Sequence, residues 1–138
     1  MGDSEEARAD EERSTESFPT NAVVGVIDEA RAALDAAEDL REAGFEPNVL
    51  CGENGIERIE TAGGSARDVR AIRVVQSLFG FEADHSQRHT AELAAGHFIL
   101  LVESSDDATT DRIRDVLAEH HGHFVNHYSR WTSRSLIP

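Results

Sequence analysis

Lysine is absent from this sequence, so all 13 of its basic residues are arginines. They are outnumbered by 27 aspartates and glutamates, and the formal net charge is −14 with histidine neutral. A chain this acidic is repelled by the phosphates of nucleic acids and by anionic membrane surfaces, so we predict neither as a partner. Two interpretations of the acidity remain open: adaptation to high salt, or a solvated surface encoded by a GC-rich genome that favours arginine over lysine.

Cysteine and long apolar runs are scarce as well. Cys51 is the only cysteine, which excludes a disulfide within the chain and suits a reducing cytoplasm. The longest apolar run, residues 98–102, is far too short to cross a bilayer. Residues 1–18 are acidic and lack the apolar run of a signal peptide, so we expect a disordered tail there. A single cytoplasmic domain is expected over residues 19–138.

The first half of the expected domain reads as strand, helix, glycine, strand. A short apolar run at residues 21–27 predicts a buried strand, and Gly25 within it indicates a close approach by another backbone or side chain. Asp28 follows where a helix N-cap is expected, and the next apolar residues recur at helical spacing. Gly44 is suited to end that helix in the left-handed conformation, before a second strand at residues 47–51.

The same order returns near the C-terminus. Residues 98–102 form another apolar run, and residues 105–107 supply a cap and first-turn acids for a helix. Gly122 ends that helix, and residues 124–128 predict a strand. Two such halves usually interleave into one antiparallel sheet, so the predicted fold is α+β, a ferredoxin-like split β-α-β sheet. A parallel two-layer α/β sheet is the alternative.

Between the two halves, the sequence predicts a helical insertion. Residues 56–61 fit a strand or a short helix, and we favour the helix. Ser65 is placed to cap a helix that reaches Phe79, and residues 82–95 form a further helix closed by Gly96. A two-helix insertion between the central strands suits an oligomer contact or a ligand lid, or it covers one open face of the sheet.

Five segments combine apolar strand residues, glycine–aromatic pairs and an aromatic–arginine–tryptophan ending. They are residues 23–28, 40–45, 76–81, 88–93 and 123–132. Together these segments resemble the general stress protein 17M and heat-induced stress-protein-like families. The resemblance implies a ferredoxin-like domain with a helical insertion. It implies no established catalytic activity, so no catalytic residue is assigned from it.

The histidines are the first candidate for a binding site. His120, His123 and His127 gather around the last helix–strand junction, and strand alternation predicts that His123 and His127 share one face. A zinc or copper ion needs three or four ligands converging at about 2.0–2.3 Å. The sequence has neither a His-Glu-x-x-His motif nor a cysteine pair. The alternative is that these histidines face solvent, or are satisfied within the core, at the C-terminus of a helix, where histidine also complements the dipole.

A second candidate site lies at the aromatic end of the last predicted strand. Tyr128 and Arg130 share a face by alternation, and an arginine can stack on an aromatic ring while it binds a carboxylate or phosphate. With Trp131 and His89, these residues are our candidates for holding a small acidic ligand. The alternative is that Trp131 packs on the sheet edge or in a dimer interface.

No spacing of nucleophile, base and acid in the sequence indicates an enzyme, and we predict no catalytic residue and no cofactor. The favoured function is therefore a non-enzymatic, stress-protein-like module that self-associates, with a homodimer favoured, or binds a protein partner. One alternative is a sensor of an acidic metabolite or nucleotide. A second alternative is a histidine-rich metal-binding protein.

Overall fold

The computed structural model of the protein describes residues 21–64, 67–68, 83–129 and 132–138. The tail predicted at residues 1–18 lies outside these ranges. The described chain contains six strands and four α-helices. In chain order they are β1 (Ala22–Ile27), α1 (Ala30–Glu42), β2 (Asn48–Cys51), α2 (Glu53–Thr61), β3 (Arg67–Asp68), α3 (Ala83–Ala94), β4 (Phe98–Glu103), α4 (Asp107–Glu119), β5 (His123–Tyr128) and β6 (Ser133–Ile137). Every helix in the described chain is too short or too polar to cross a bilayer.

The six strands form one sheet in the order β3-β2-β4-β1-β5-β6. Strands β2, β4, β1, β5 and β6 are paired antiparallel, and only the two-residue β3 runs parallel to its neighbour β2. The predicted α+β class is therefore confirmed, and the sheet is compatible with a ferredoxin-like fold. The parallel α/β alternative is wrong for these strands.

Both faces of the central strands are buried, which explains why β1 and β4 are almost continuously apolar. On one face, Val23, Phe98 and Leu100 pack with residues of α1, α2 and α4. On the other face, Val24 and other alternate strand residues pack with Leu93 of α3. Helix α3 therefore lies on the side of the sheet opposite to the other described helices.

The predicted helix ends are partly confirmed. Gly44 follows α1 with a φ of +94°, in the left-handed region, as expected. Asp106 caps α4 by accepting a hydrogen bond from the backbone N–H of Thr109 at 2.8 Å. The prediction that Asp28 caps α1 is wrong, because the capping position belongs to Glu29, whose side chain makes no capping bond.

The end of α4 differs from the expectation in its detail. The helix stops at Glu119, and His121 rather than a glycine takes the left-handed conformation, with a φ of 63°. Gly122 is needed for space, since a Cβ there would lie 2.7 Å from the carbonyl oxygen of Leu117. The Gly122 N–H donates to that same oxygen at 2.7 Å. The glycine thus permits the close approach that ends the helix.

The central insertion is also confirmed in part. Residues 56–61 belong to the helix α2, and α3 falls within the predicted residues 82–95. The helix predicted to start at Ser65 is wrong at its beginning, because residues 67–68 pair with Leu50 and Cys51 as strand β3. The backbone groups on the free edge of β2 offer this segment partners that local helical spacing does not reveal. Residues 69–82 lie outside the described chain.

Candidate functional site

Four polar side chains meet at one end of the sheet, and we call them the carboxylate–histidine cluster. Asp28 directly follows β1, His97 directly precedes β4, and His123 is the first residue of β5. Glu92 lies in the last turn of α3, the helix that leads into β4. Glu92 and His97 are five residues apart, whereas Asp28 and His123 come from distant parts of the sequence.

Strand pairing explains why three of these residues are neighbours. Ile27 at the end of β1 pairs with Phe98 at the start of the antiparallel strand β4. The next residue outward on β1 is Asp28, and the preceding residue on β4 is His97, so the two lie side by side. The start of β5 reaches the same end of the sheet from the opposite side of β1.

A bulge in β5 then turns His123 toward α3. Val24 pairs with Asn126, whereas Val26 pairs with His123, so β5 carries one extra residue over this stretch. Phe124 lies within the bulge and has a φ of 46°, in the left-handed region that non-glycine residues rarely adopt. The extra residue moves His123 to the face that carries Val26, where α3 supplies Glu92. Strained backbone of this kind is often found at functional sites.

The nitrogen and oxygen atoms of the cluster are in direct contact. His97 Nδ1 lies 2.5 Å from Glu92 Oε2 and 3.1 Å from Asp28 Oδ1. His123 Nε2 lies 2.7 Å from the same Asp28 Oδ1 and 4.0 Å from Glu92 Oε2. Each imidazole nitrogen therefore lies near both carboxylates.

Burial and hydrogen bonds affect Glu92 in opposite directions. Its side chain is only 13% exposed, and this burial raises the pKa of its carboxyl group. Hydrogen bonds from His97 and Arg88, together with the nearby charge of His123, outweigh burial and bring the pKa below its ordinary value. Glu92 is thus held as a carboxylate inside the cluster. Asp28 is 48% exposed, so the site keeps one side open to water.

Asp28, Glu92 and His123 could hold a metal ion together, and His97 lies beside this group. One ligand atom each from Asp28, Glu92 and His123 lies within 4.8 Å of the other two, and His97 Nδ1 contacts two of these residues. A tetrahedral zinc ion with bonds of about 2.0–2.1 Å separates its ligand atoms by about 3.3 Å. The two shortest nitrogen–oxygen contacts of the cluster, 2.5 Å and 2.7 Å, are hydrogen bonds, so an ion that entered would move these atoms apart to about that separation.

The structure does not bring the predicted histidine triad together. His120 Nε2 lies 2.6 Å from Asp39 Oδ2, and His123 belongs to the cluster at the sheet end. His127 pairs with Val23, which lies on the face opposite to Val26, the partner of His123. The expectation that His123 and His127 share a face is wrong, because the bulge at Phe124 breaks the alternation.

His120 belongs to a separate group, with Asp39 and Glu119. Glu119 is exposed and Asp39 is 45% exposed, and the group joins the C-terminal parts of α1 and α4. Exposed acidic groups around a single histidine commonly form ordinary ion pairs. We therefore interpret this group as a link between two helices.

The predicted ligand site is described only in part. Tyr128 and His89 are both buried and lie on the α3 side of the sheet, with their ring centroids 6.2 Å apart. The Tyr128 hydroxyl forms a hydrogen bond with His85 Nδ1 at 2.8 Å. Arg130 and Trp131, the other two residues of this prediction, lie outside the described chain. A site built from these four residues stays a prediction.

The sequence analysis missed three of the four cluster residues, namely Asp28 as a ligand, Glu92 and His97. The predicted fold already implied that Asp28 and His97 are neighbours. In a ferredoxin-like sheet the first and third of the four main strands are antiparallel neighbours, so the residue after one lies beside the residue before the other. Asp28 and His97 occupy those two positions.

Comparison with known proteins assigns no function to the cluster. No protein-family model matches the chain, and no curated protein or solved structure matches it. The resemblance to stress-protein families therefore stays a prediction. What the site can do is inferred from its own side chains, which are two imidazoles and two carboxylates gathered at one end of an antiparallel sheet.

Proposed function

We propose that this protein binds a divalent transition-metal ion at the carboxylate–histidine cluster. The observation that carries the proposal is the convergence of ligand atoms from Asp28, Glu92 and His123 within 4.8 Å, with His97 Nδ1 in contact with both carboxylates. Two carboxylates held this close repel one another unless positive charge lies between them. A bound cation supplies that charge and uses the imidazole nitrogens as ligands.

The ligand set indicates the class of metal. Imidazole nitrogens suit zinc, copper, nickel and iron, whereas sites made only of oxygen ligands suit magnesium and calcium. The single cysteine, Cys51, lies in β2 and is not part of the cluster. Zinc accepts both histidine nitrogens and carboxylate oxygens as ligands, so zinc is the first probe to test.

The competing interpretation is a network of ion pairs without a metal. Isothermal titration calorimetry of the untagged protein with Zn²⁺ separates the two. We expect one zinc site per chain. His97→Ala or His123→Ala should weaken the zinc affinity at least about tenfold, because each variant removes an imidazole of the cluster. Even the loss of a residue that only orients a metal ligand typically weakens metal affinity by about tenfold or more. His127→Ala is the matched control, because it removes a β5 histidine outside the cluster. Equal affinity in all four proteins would overturn the proposal.

We also propose that the four central strands form the split β-α-β arrangement predicted from the sequence. The order β2-β4-β1-β5, with α1 between β1 and β2 and α4 between β4 and β5, supports it. An experimental structure in which these strands had another order would contradict the arrangement.

We also propose, from the sequence, that the protein self-associates and that it has a stress-related role. The observation that favours self-association is the position of β6 at an outer edge of the described sheet, with two of its five residues exposed. Edge strands offer backbone groups that can pair with a second copy. Sedimentation velocity should then show a dimer at micromolar concentration, and a strictly monomeric particle would contradict it.

A further inference from the structure

Arg58 of α2 connects two of the segments that carry the cluster. Its Nη2 donates to the backbone carbonyl oxygen of Asp28 at 3.0 Å. Its Nη1 donates to the carbonyl oxygen of Gly96, the residue before His97, at 2.6 Å. One guanidinium group therefore holds the end of β1 and the start of β4 by their backbones.

The surroundings of Arg58 fix its position. Its guanidinium carbon lies 5.7 Å from the centre of the Phe98 ring, which is fully buried. Gly96 has a φ of +85°, and a Cβ built on it would lie 3.0 Å from Arg58 Nη1. The turn that presents His97 is thus packed directly against the guanidinium. A planar guanidinium with donors in a fixed fork is suited to hold two acceptors at a set separation.

We propose that Arg58 is a positioning residue for the metal site. It does not contact the ion, and its role is to fix the distance between the backbones from which Asp28 and His97 extend. This inference rests on the proposed metal site. Residues that orient metal ligands through hydrogen bonds typically change metal affinity by about 10- to 100-fold when they are replaced.

A purely structural role predicts a different result, and Arg112 provides the comparison. Arg112 lies on α4, and its guanidinium carbon lies 5.3 Å from the centre of the Phe45 ring, much as that of Arg58 lies 5.7 Å from the centre of the Phe98 ring. Phe45 follows the C-terminal end of α1, whereas Asp28 precedes the N-terminal end of that helix. Replacing Arg112 should therefore leave the metal affinity unchanged.

The positive charge of Arg58, taken alone, predicts the opposite change in metal affinity. A guanidinium near a cation site repels the cation, so removing the charge would by itself tighten metal binding. The positioning role predicts weaker binding when the fork is lost, whether or not the charge remains. Arg58→Lys keeps the charge and loses the planar fork, and Arg58→Met loses both.

The deciding experiment measures Zn²⁺ affinity by calorimetry for the wild type and for Arg58→Lys, Arg58→Met and Arg112→Met. Both Arg58 variants should bind Zn²⁺ about 10- to 100-fold more weakly than the wild type. Their Co²⁺ complexes should have an altered visible absorption spectrum, which reports coordination geometry and not global stability. Arg112→Met should keep the wild-type affinity and Co²⁺ spectrum.

The possible failures are distinguishable. If the wild type binds neither Zn²⁺ nor Co²⁺, the proposed function and the role of Arg58 both fall. If the wild type binds and the Arg58 variants bind equally well or more tightly, only the positioning role is overturned. Arg58→Lys alone decides the matter if Arg58→Met does not fold.

Discussion

At the scale of single residues, His89 shows how burial acts on an ionisable group. It lies on α3 with its ring centroid 5.1 Å from Phe124 and 6.2 Å from Tyr128, and it is fully buried. Burial, with a further contribution from the positive charge of His85, lowers the pKa of His89 from 6.5 to about 4. His89 is therefore neutral in the folded protein over most of the physiological pH range.

The lowered pKa predicts a loss of stability in acid. Between pH 6.5 and about 4, the unfolded chain binds a proton at His89 that the folded protein does not, so stability falls as the pH falls. The loss attributable to this residue should be about 3 kcal/mol across that range, at about 1.4 kcal/mol for each pH unit. Urea denaturation at a series of pH values measures it.

The comparison that isolates His89 uses two variants. His89→Gln does not titrate at this position, so its stability should fall less steeply in acid than that of the wild type. His127→Gln is the comparison variant. Burial, and after it the charge of Arg134, lowers the pKa of His127 as well, but His127 is only partly buried, so its removal should change the pH slope less than that of His89. Identical pH slopes for the wild type and His89→Gln would contradict the account.

Single residues also limited what the sequence could predict about the site. Gly25 was expected to permit a close approach, and a Cβ there would indeed lie 2.9 Å from Val125 Cγ2. The partner of that contact belongs to the bulged part of β5, which alternation alone does not predict. Because the bulge adds one residue, His123 changes face and joins Glu92 instead of His127. A local pattern cannot show this, since the bulge depends on pairing between distant strands.

At the scale of helices and strands, the N-terminal ends of α1 and α4 make a matched comparison. Asp106 accepts a hydrogen bond from the Thr109 backbone, and the Thr109 hydroxyl in turn accepts one from the Asp106 backbone N–H at 3.0 Å. This is a reciprocal cap of the α4 N-terminus. Glu29 occupies the same position on α1 and makes no capping bond.

This difference predicts unequal effects of alanine. Asp106→Ala should destabilise the protein by about 1 kcal/mol, because it leaves helical N–H groups of α4 without their acceptor. Glu29→Ala should change stability by less than about 0.5 kcal/mol, as expected for an exposed position. Chemical denaturation of the two variants at neutral pH measures both. An equal loss in the two variants would show that the cap of α4 has no special role.

Helices and strands were predicted where their own spacing is regular, as for α1, α4, β1 and β4. The prediction was wrong for residues 67–68, which pair with β2 although the segment has a helix-like pattern. It was also wrong for the cap of α1, where Asp28 is displaced from the capping role. The Asp28 carboxylate lies 2.7 Å from His123, and this contact depends on the tertiary fold. Tertiary partners outweigh local preference in both cases.

At the scale of the whole molecule, the dominant feature is the net charge of −14. Carboxylates spread over the surface repel one another and destabilise the compact state. Raising the KCl concentration from about 0.1 M to about 1 M shortens the screening length from about 10 Å to about 3 Å. The added salt should therefore raise the melting temperature.

The size of this rise bears on the two interpretations of the acidity. Each kcal/mol of relieved repulsion should raise the melting temperature by roughly 4 °C in a domain of this size. Differential scanning calorimetry in increasing KCl, with an uncharged osmolyte of equal osmolarity as the control, measures the effect. A large rise specific to the salt favours adaptation to high salt. A melting temperature that does not change with KCl would contradict the view that surface repulsion limits stability.

The central claim is that Asp28, Glu92, His97 and His123 form a metal site, and native mass spectrometry of the untagged chain after equilibration with Zn²⁺ tests it most directly. We expect one tightly held zinc ion per chain in the wild type and in His127→Ala. The double variant His97→Ala, His123→Ala should hold none, since both nitrogen ligands are lost. A wild type that carries no zinc, or a double variant that carries as much as the wild type, would contradict the account.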